Sequence, residues 1–302
     1  MSPGMPPCLA PEAPSRPPRM MSSPVLVSDQ ELAAAVDKLP PVSAVMQRLL
    51  TVLDDPDSSV DDVAALVRVD TALATQVLRL ANSAYFGLVE RVATIEEGVQ
   101  HVGMTQVQRL ITSLGGRRLF ERALDQYLIS APVLWHHTLA VAVGSEVIAA
   151  RLDADTSIAY LGGILHTIGI VALDSVAATR GLAPRNPGVP LLDWERENFG
   201  IDNAAAAARV LQYWKFPESL RRAVAARYEP PVGDAARSPA GVLYLACCLA
   251  EQSAAGLAPE GGLFRLTEEV LASIGMTEEQ FHGLEGDLRF QLARTRSLLR
   301  LA

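Results

Sequence analysis

Five histidines hold most of this chain's capacity for metal or acid–base chemistry: His101, His136, His137, His166 and His282. An imidazole changes charge near neutral pH and offers a ring nitrogen to a metal, so a histidine set inside an apolar helix is a natural place for a ligand or a general base. His166 has that setting, in LGGILHTIGIVAL (161–173), and the pair His136-His137 lies in a helical stretch upstream. A divalent-metal site also needs carboxylates that converge with the imidazoles. The residue after His166 is Thr167, whose neutral hydroxyl is a poor substitute. A histidine in such a helix is ordinarily a hydrogen-bonded core residue, so its chemistry depends on its company.

A second cluster is Asn82-Ser83-Ala84-Tyr85-Phe86-Gly87. It reads either as a helix end whose orphan carbonyls are satisfied by Asn82 and Ser83, or as an interaction surface formed by Asn82, Ser83, Tyr85 and Phe86. The stretch 61–87 also has the outline of a helix-turn-helix. Its second helix offers phosphate only Arg79, and Asp54, Asp55, Asp57, Asp61 and Asp62 flank it, so charge argues against DNA reading.

The elements that must position these residues are helical throughout. Apolar residues recur three and four apart, and no sustained alternation marks a strand. Ser28 with Glu31 predicts a capping box, and Val42 to Leu53 a second helix. Ser58 or Ser59 is expected to cap a third helix and Asp70 a fourth. Further helices are expected at 95–102, 105–120, 132–151, 156–176, 191–199, 203–214, 217–228 and 239–254, then 267–301 with a break at Gly275. Weaker periodicity at 123–131 allows a subdivision there. The uncharged run 156–173 carries three glycines and His166, and reads as a buried core helix rather than a bilayer span.

With 302 residues, 49% of them hydrophobic, the chain can bury a large core. A formal charge of −8 leaves no general surplus of cations for nucleic acid. Eight of the 20 prolines fall in the first 24 residues, so residues 1–27 read as a disordered leader. Cys247 and Cys248 are adjacent and Cys8 lies in the leader, so no disulfide framework is expected and a reducing, cytoplasmic setting follows.

Several segments together resemble a known family. LPPVSAVMQRLL (39–50), VRVDTALATQVLRLANSAYFG (67–87), GVQHVGMTQVQRLI (98–111), Trp135-His136-His137, LGGILHTIGIVAL and ENFGIDNAAAAARVLQYWKFPESLRRAV (197–224) have the order and spacing of the HD-related output domain, HDOD. The resemblance spans about 200 residues. It implies an all-α, multi-helix HD-like bundle: residues 28–240, with an N-terminal helical part (28–122) and an HD-like part (123–240), followed by helices 241–302 packed on the latter.

The related HD phosphohydrolases hold one or two metals with histidines and aspartates. On that pattern His137 matches the first histidine, with His136 one residue away, and His166 keeps the histidine of the His-Asp pair while Thr167 replaces its aspartate. Asn203 and Arg227-Tyr228 stand where further histidines are common, and the late aspartate falls near Cys247. With so few ligands left, the resemblance implies a degenerate site without metal or cofactor. It would be a remnant pocket of His137, His166, Thr167, Asn203 and Arg227 in a bacterial, non-catalytic signalling module. Sensor kinases, receivers or cyclic-dinucleotide enzymes would be its partners, acting in trans. The competing expectations are an HD-type phosphohydrolase or cyclic-dinucleotide phosphodiesterase, and a DNA-binding regulator working through residues 61–87.

Overall fold

Ser28 opens the first described helix, α1 (Asp29–Val36), by accepting from the Glu31 amide while the Glu31 carboxylate accepts from the Ser28 amide. The same reciprocal cap, made by Ser59 and Asp62, starts α2 (Val60–Arg68). Asp70 caps α3 (Thr71–Ala81), and Thr94 with Glu97 caps α4 (Ile95–Val102), after which α5 (Met104–Phe120) begins at Gly103. These caps satisfy amides that each helix start leaves without an intrahelical acceptor. The computed structural model describes residues 26–39, 52, 58–83, 86 and 91–301. The helix expected at 42–53 (apart from Val52), most of the leader, and Tyr85 lie outside the described residues.

The second half consists of α6 (Ala131–Arg151), α7 (Thr156–Leu165), α8 (Ile168–Thr179), α9 (Leu191–Phe199), α10 (Asn203–Tyr213), α11 (Glu218–Ala225), α12 (Pro239–Gln252), α13 (Glu268–Ile274) and α14 (Glu278–Leu301). Short 3-10 turns lie at Gly233–Arg237 and Ala258–Glu260. No strand longer than an isolated bridge between Leu124 and Ile129 occurs among the described residues, so the all-α expectation holds. The hub is α6, which packs against α7, α12 and α14. Two stretches, Ala131–Arg151 and Thr156–Thr179, are long and apolar enough to cross a bilayer, and 67% and 83% of their apolar windows lie buried inside the fold.

One difference from the sequence expectation bears on function. The single helix expected at 156–176 breaks at His166-Thr167 into α7 and α8. The His166 ring donates from Nδ1 to the Gly163 carbonyl at 2.7 Å, the acceptor that a continuing helix would give to the Thr167 amide. Glycines bracket the break. A Cβ on Gly163 would lie 2.4 Å from Ala142 Cα, and one on Gly169 would lie 1.8 Å from the Asn203 carbonyl oxygen. Backbone therefore meets backbone where α7 crosses α6 and where α8 crosses α10, and His166 is drawn between them.

The termini also depart from a strictly sequential division. Val27, placed by sequence in the leader, is 3% exposed and donates its amide to the Phe199 carbonyl at 2.8 Å, an acceptor near the end of α9. Packing of α1 is on α8 and α10 rather than on α2–α5, and Glu31 pairs with Arg180 at the end of α8. The C-terminal α12 is integral to the core around α6 and α7, and α14 touches α3 and α5 as well as α6 and α12.

The close crossings can be checked with glycines. Gly169→Ala is expected to destabilise the protein by about 1–3 kcal/mol or more, because backbone must separate to admit a methyl. Gly286→Ala, in α14 with nothing within 4 Å of its Cβ position, is expected to stabilise by about 0.5–1 kcal/mol. Urea midpoints of the two variants against the parent measure both.

Candidate functional site

His137 sits in the middle of α6 and His166 at the α7–α8 break, and their Nε2 atoms face each other at 3.0 Å. His137 donates from Nδ1 to the Ala255 carbonyl at 2.8 Å, as His166 does to Gly163. A carbonyl only accepts, so both Nδ1 atoms carry hydrogen and both Nε2 lone pairs point into the same space. The Nε2–Nε2 contact becomes a hydrogen bond only when the pair holds one extra proton. Burial pushes the pKa of both imidazoles down, further for His166, which also lies near Arg227. Glu260, 3.7 Å from His137 Nε2, favours the proton on His137.

Arg227, just past the end of α11, is 0% exposed, and the 3-10 turn at Ala258–Glu260 brings Glu260 to it at 2.6 Å. Arg227 Nη2 also donates to Asn203 Oδ1 and to the Tyr228 hydroxyl. Tyr228 in turn donates to Glu260 at 2.6 Å and stacks on Phe264. The amide of Asn203 thus accepts from Arg227 on one side. On the other, its Nδ2 donates to Glu195 at 2.8 and 3.0 Å. Because Asp202 rather than Asn203 caps α10, the Asn203 backbone amide is also free to donate to Glu195, at 2.8 Å. Tyr127 closes the chain by donating to Glu195 at 2.9 Å, from the weakly periodic 123–131 segment.

The charges follow from burial and neighbours. Burial raises the Glu195 carboxyl to about 7 despite the donors of Asn203 and Tyr127. Burial also works against ionising Glu260, but Arg227 and His137 more than reverse this and hold it below the ordinary range. Arg227 stays charged, since Glu260 outweighs the desolvation of its guanidinium. Burial pushes the Cys247 thiol far up, so near Arg227 it is a neutral, apolar neighbour.

Four of the five residues expected in a remnant pocket therefore belong to one connected network: His137, His166, Asn203 and Arg227. Thr167 stands one step aside, its hydroxyl 3.1 Å from that of Thr138. All five are at most 2% exposed, so they form a packed polar core in which side chains bond mainly to one another. Glu195 and Glu260, 0% and 1% exposed, are members that sequence reasoning missed. Of the second cluster, Asn82 bonds the backbone of Val92 from both ends of its amide and so ties the segment after 90 to the end of α3. Phe86 is half-buried against the core, while Tyr85 lies outside the described residues. Ser83 has a buried hydroxyl without a partner among the described residues.

The residues present do not fit the metal centre of the HD phosphohydrolases. No group of three or more His, Cys, Asp or Glu side chains among the described residues is arranged to hold an ion. The nearest approach is His137, His166 and Glu260; there Oε1 of the carboxylate is committed to Arg227 and Tyr228, and Oε2, 3.7 Å from His137 Nε2, has no hydrogen-bond partner among the described residues. A guanidinium at that range opposes a dication.

A family model described as HDOD domain matches residues 39–230. An uncharacterized protein of Treponema pallidum (strain Nichols) is 28% identical over 204 residues, which is 63% of this chain and 37% of that protein, so the chain spans little more than a third of the relative's length. An HDOD domain protein with unknown function from Geobacter sulfurreducens is similar in structure, with a TM-score of 0.64, 20% identity, and coverage of 91% of this chain and 97% of that one. A Marinobacter aquaeolei VT8 protein named for signal transduction gives 0.64 at 20% identity, covering 90% and 65%. A Shewanella amazonensis SB2B protein named as a phosphohydrolase gives 0.59 at 24%, covering 89% and 98%. At these identities the likeness is one of fold.

Two expectations follow from the network. Arg227→Met and Glu260→Leu should each cost about 3–5 kcal/mol, while the double variant should cost clearly less than their sum, because each single change strands a buried charge. Denaturant unfolding of the four proteins measures the coupling. Glu195, raised from an ordinary 4.5 to about 7, binds its proton more tightly folded than unfolded, so it lowers stability as pH rises from about 4.5 through 7. The two histidines act oppositely, removing stability as pH falls below their ordinary 6.5. Glu195→Gln isolates the carboxyl: relative to the parent, its stability should improve by on the order of 3 kcal/mol between pH 4.5 and 8, as read from urea midpoints across that range.

Proposed function

The chain belongs to the HDOD family, and from that premise we propose that it is a non-catalytic signalling module acting in the bacterial cytoplasm through contacts with other proteins. The observation that supports this reading is the buried Arg227–Glu260 pair. It sets a permanent cation beside the two imidazoles that would otherwise be metal ligands, and it engages the nearest carboxylate. Metal-assisted phosphate hydrolysis needs a Lewis acid, a bound water of lowered pKa and room for substrate. Here His137, His166, Asn203, Arg227 and Glu260 are at most 2% exposed and bond mainly to one another, with Arg227 Nε and Nη1 and Glu260 Oε2 left without a hydrogen-bond partner among the described residues. The Marinobacter relative's name agrees with a signalling role.

A second reading, a metal-dependent phosphohydrolase, draws on the Shewanella relative's name and on one feature of the site. Both imidazoles are held by Nδ1–H donation to a carbonyl, the orientation that ligating histidines adopt. DNA reading has less support. The Asn82 amide is spent on Val92, and α3 presents Arg79 as its one cation.

Protein purified from cells grown with Mn and Fe is expected to retain well under one metal per chain by elemental analysis. It should not hydrolyse bis(p-nitrophenyl) phosphate or a cyclic dinucleotide above buffer, with or without added Mn(II). About one bound metal per chain, with turnover lost in His166→Ala, would make it a phosphohydrolase instead.

A further inference from the structure

Away from the buried network, the long helix α14 turns one side into the fold through Phe281, Leu284, Leu288 and Leu292. Opposite them run Glu279, Gly283, Gly286, Phe290, Ala293 and Ser297, four and three residues apart in alternation, a spacing that keeps them in one stripe. All six are exposed, Phe290 at 67%. A surface helix normally sets charged and polar side chains on this side. Here a large aromatic ring stands among residues of little or no side chain.

Gly283 and Gly286 lie in the interior of a 24-residue helix, where glycine is less favourable than any residue but proline. Gly163 and Gly169 are required by the backbone that meets them at the helix crossings. On α14 nothing lies within 4 Å of either Cβ position, so the described residues give no reason for glycine there. What the two glycines provide is a bare notch about one turn from Phe290. Charge is sorted along the same helix. Residues 278–287 carry four carboxylates and no Lys or Arg, and residues 288–301 carry four arginines and no carboxylate. That order suits the helix dipole, and it also makes the helix complementary to itself when reversed.

We propose that this face of α14 pairs with α14 of a second copy of the chain, antiparallel about a two-fold axis, with Phe290 of each copy seated in the notch at Gly286 of the other. The same register sets Gly283 opposite Ala293 and Glu279 opposite Ser297, so small residues flank both rings and let the backbones approach. It also lays the acidic half of each helix along the basic half of the other. A contact of this kind is self-complementary, as a two-fold interface must be. A parallel pair would set Phe290 on Phe290, leave the glycines facing one another across a gap, and run like charges side by side. None of the six residues belongs to the His137–Arg227 network, so the inference stands apart from the reading of that site.

Sedimentation velocity of the full chain should show monomer giving way to dimer as concentration rises to about 100 μM. Phe290→Ala removes the contact twice in each pair and should weaken association about a hundredfold. Gly286→Gln fills the notch with a better helix former, so it should remain folded by circular dichroism and become monomeric. Disulfide formation reads the orientation. With Cys8 changed to serine, the Gly283→Cys and Ala293→Cys proteins should each stay uncrosslinked alone and crosslink when mixed. A parent protein that is still monomeric at about 100 μM would leave this face to a partner of different sequence and overturn the assignment. So would a dimer of unchanged affinity in Phe290→Ala or in a folded Gly286→Gln protein, or crosslinking of either cysteine variant with itself in preference to the mixture.

Discussion

A guanidinium with no exposed surface is the constraint around which the second half of this protein is built. Removing Arg227 from water costs several kcal/mol even after relaxation, and that cost is offset only by close partners of suitable charge. Glu260 supplies the charge, Asn203 and Tyr228 supply oxygen acceptors, and the ring of Tyr228 lies 4.3 Å from the guanidinium carbon. Each partner arrives on a different element: Asn203 at the start of α10, Tyr228 after α11, and Glu260 on a 3-10 turn beyond α12. Partnering one side chain therefore fixes the relative placement of three segments: the start of α10, the stretch after α11 and the 3-10 turn beyond α12.

The same charge acts beyond its direct partners. Asn203 is polarised between Arg227 and Glu195, its oxygen toward the cation and its nitrogen toward the carboxyl. Glu195 nevertheless sits so deep that its pKa rises to about 7, which leaves its charge evenly poised at neutral pH. The histidines meet the opposite influence, since burial and Arg227 both oppose a positive charge on His166. Glu260 lies close enough to draw a shared proton toward His137. One buried cation thus holds a second cation, proton or metal, at a disadvantage in the space between the two imidazoles.

Most of the fold was legible because helix starts and periodic apolar stripes are local signals. Ser28, Ser59 and Asp70 cap as their side-chain chemistry requires, and Gly275, at φ 64°, ends α13 where the pattern breaks. The break at His166 was not legible, because it depends on a ring nitrogen competing with the next residue's amide for the Gly163 carbonyl, and apolar periodicity does not register that competition. Within the site, His137, His166, Asn203 and Arg227 were reached through a family resemblance. Glu260 lies in a loop rich in glycine and proline, where a glutamate ordinarily faces water, and Glu195 lies in a charged helix beside Arg196 and Glu197. Their burial is a tertiary fact. A glutamate buried by a partner more than 30 residues away carries no local mark of it.

The placement of the helices bears on how such a core could serve the signalling role proposed above. A polar network whose members bond mainly to one another rigidifies the elements that carry it, and a core with this many members is held in one arrangement when its partners are in register. Change in such a protein is then more readily accommodated at contacts between elements than within the network. The C-terminal helix α14 reaches α6 and α12 on one side and α3 and α5 on the other, so any shift in its seating is felt by both halves. α1 ties the start of the described chain to α8 and α10, through Arg180 and Glu31, on elements adjacent to the network. On the signalling role proposed above, a fixed reference at Arg227 would allow a shift of α14 against it to be read as a difference on the surface.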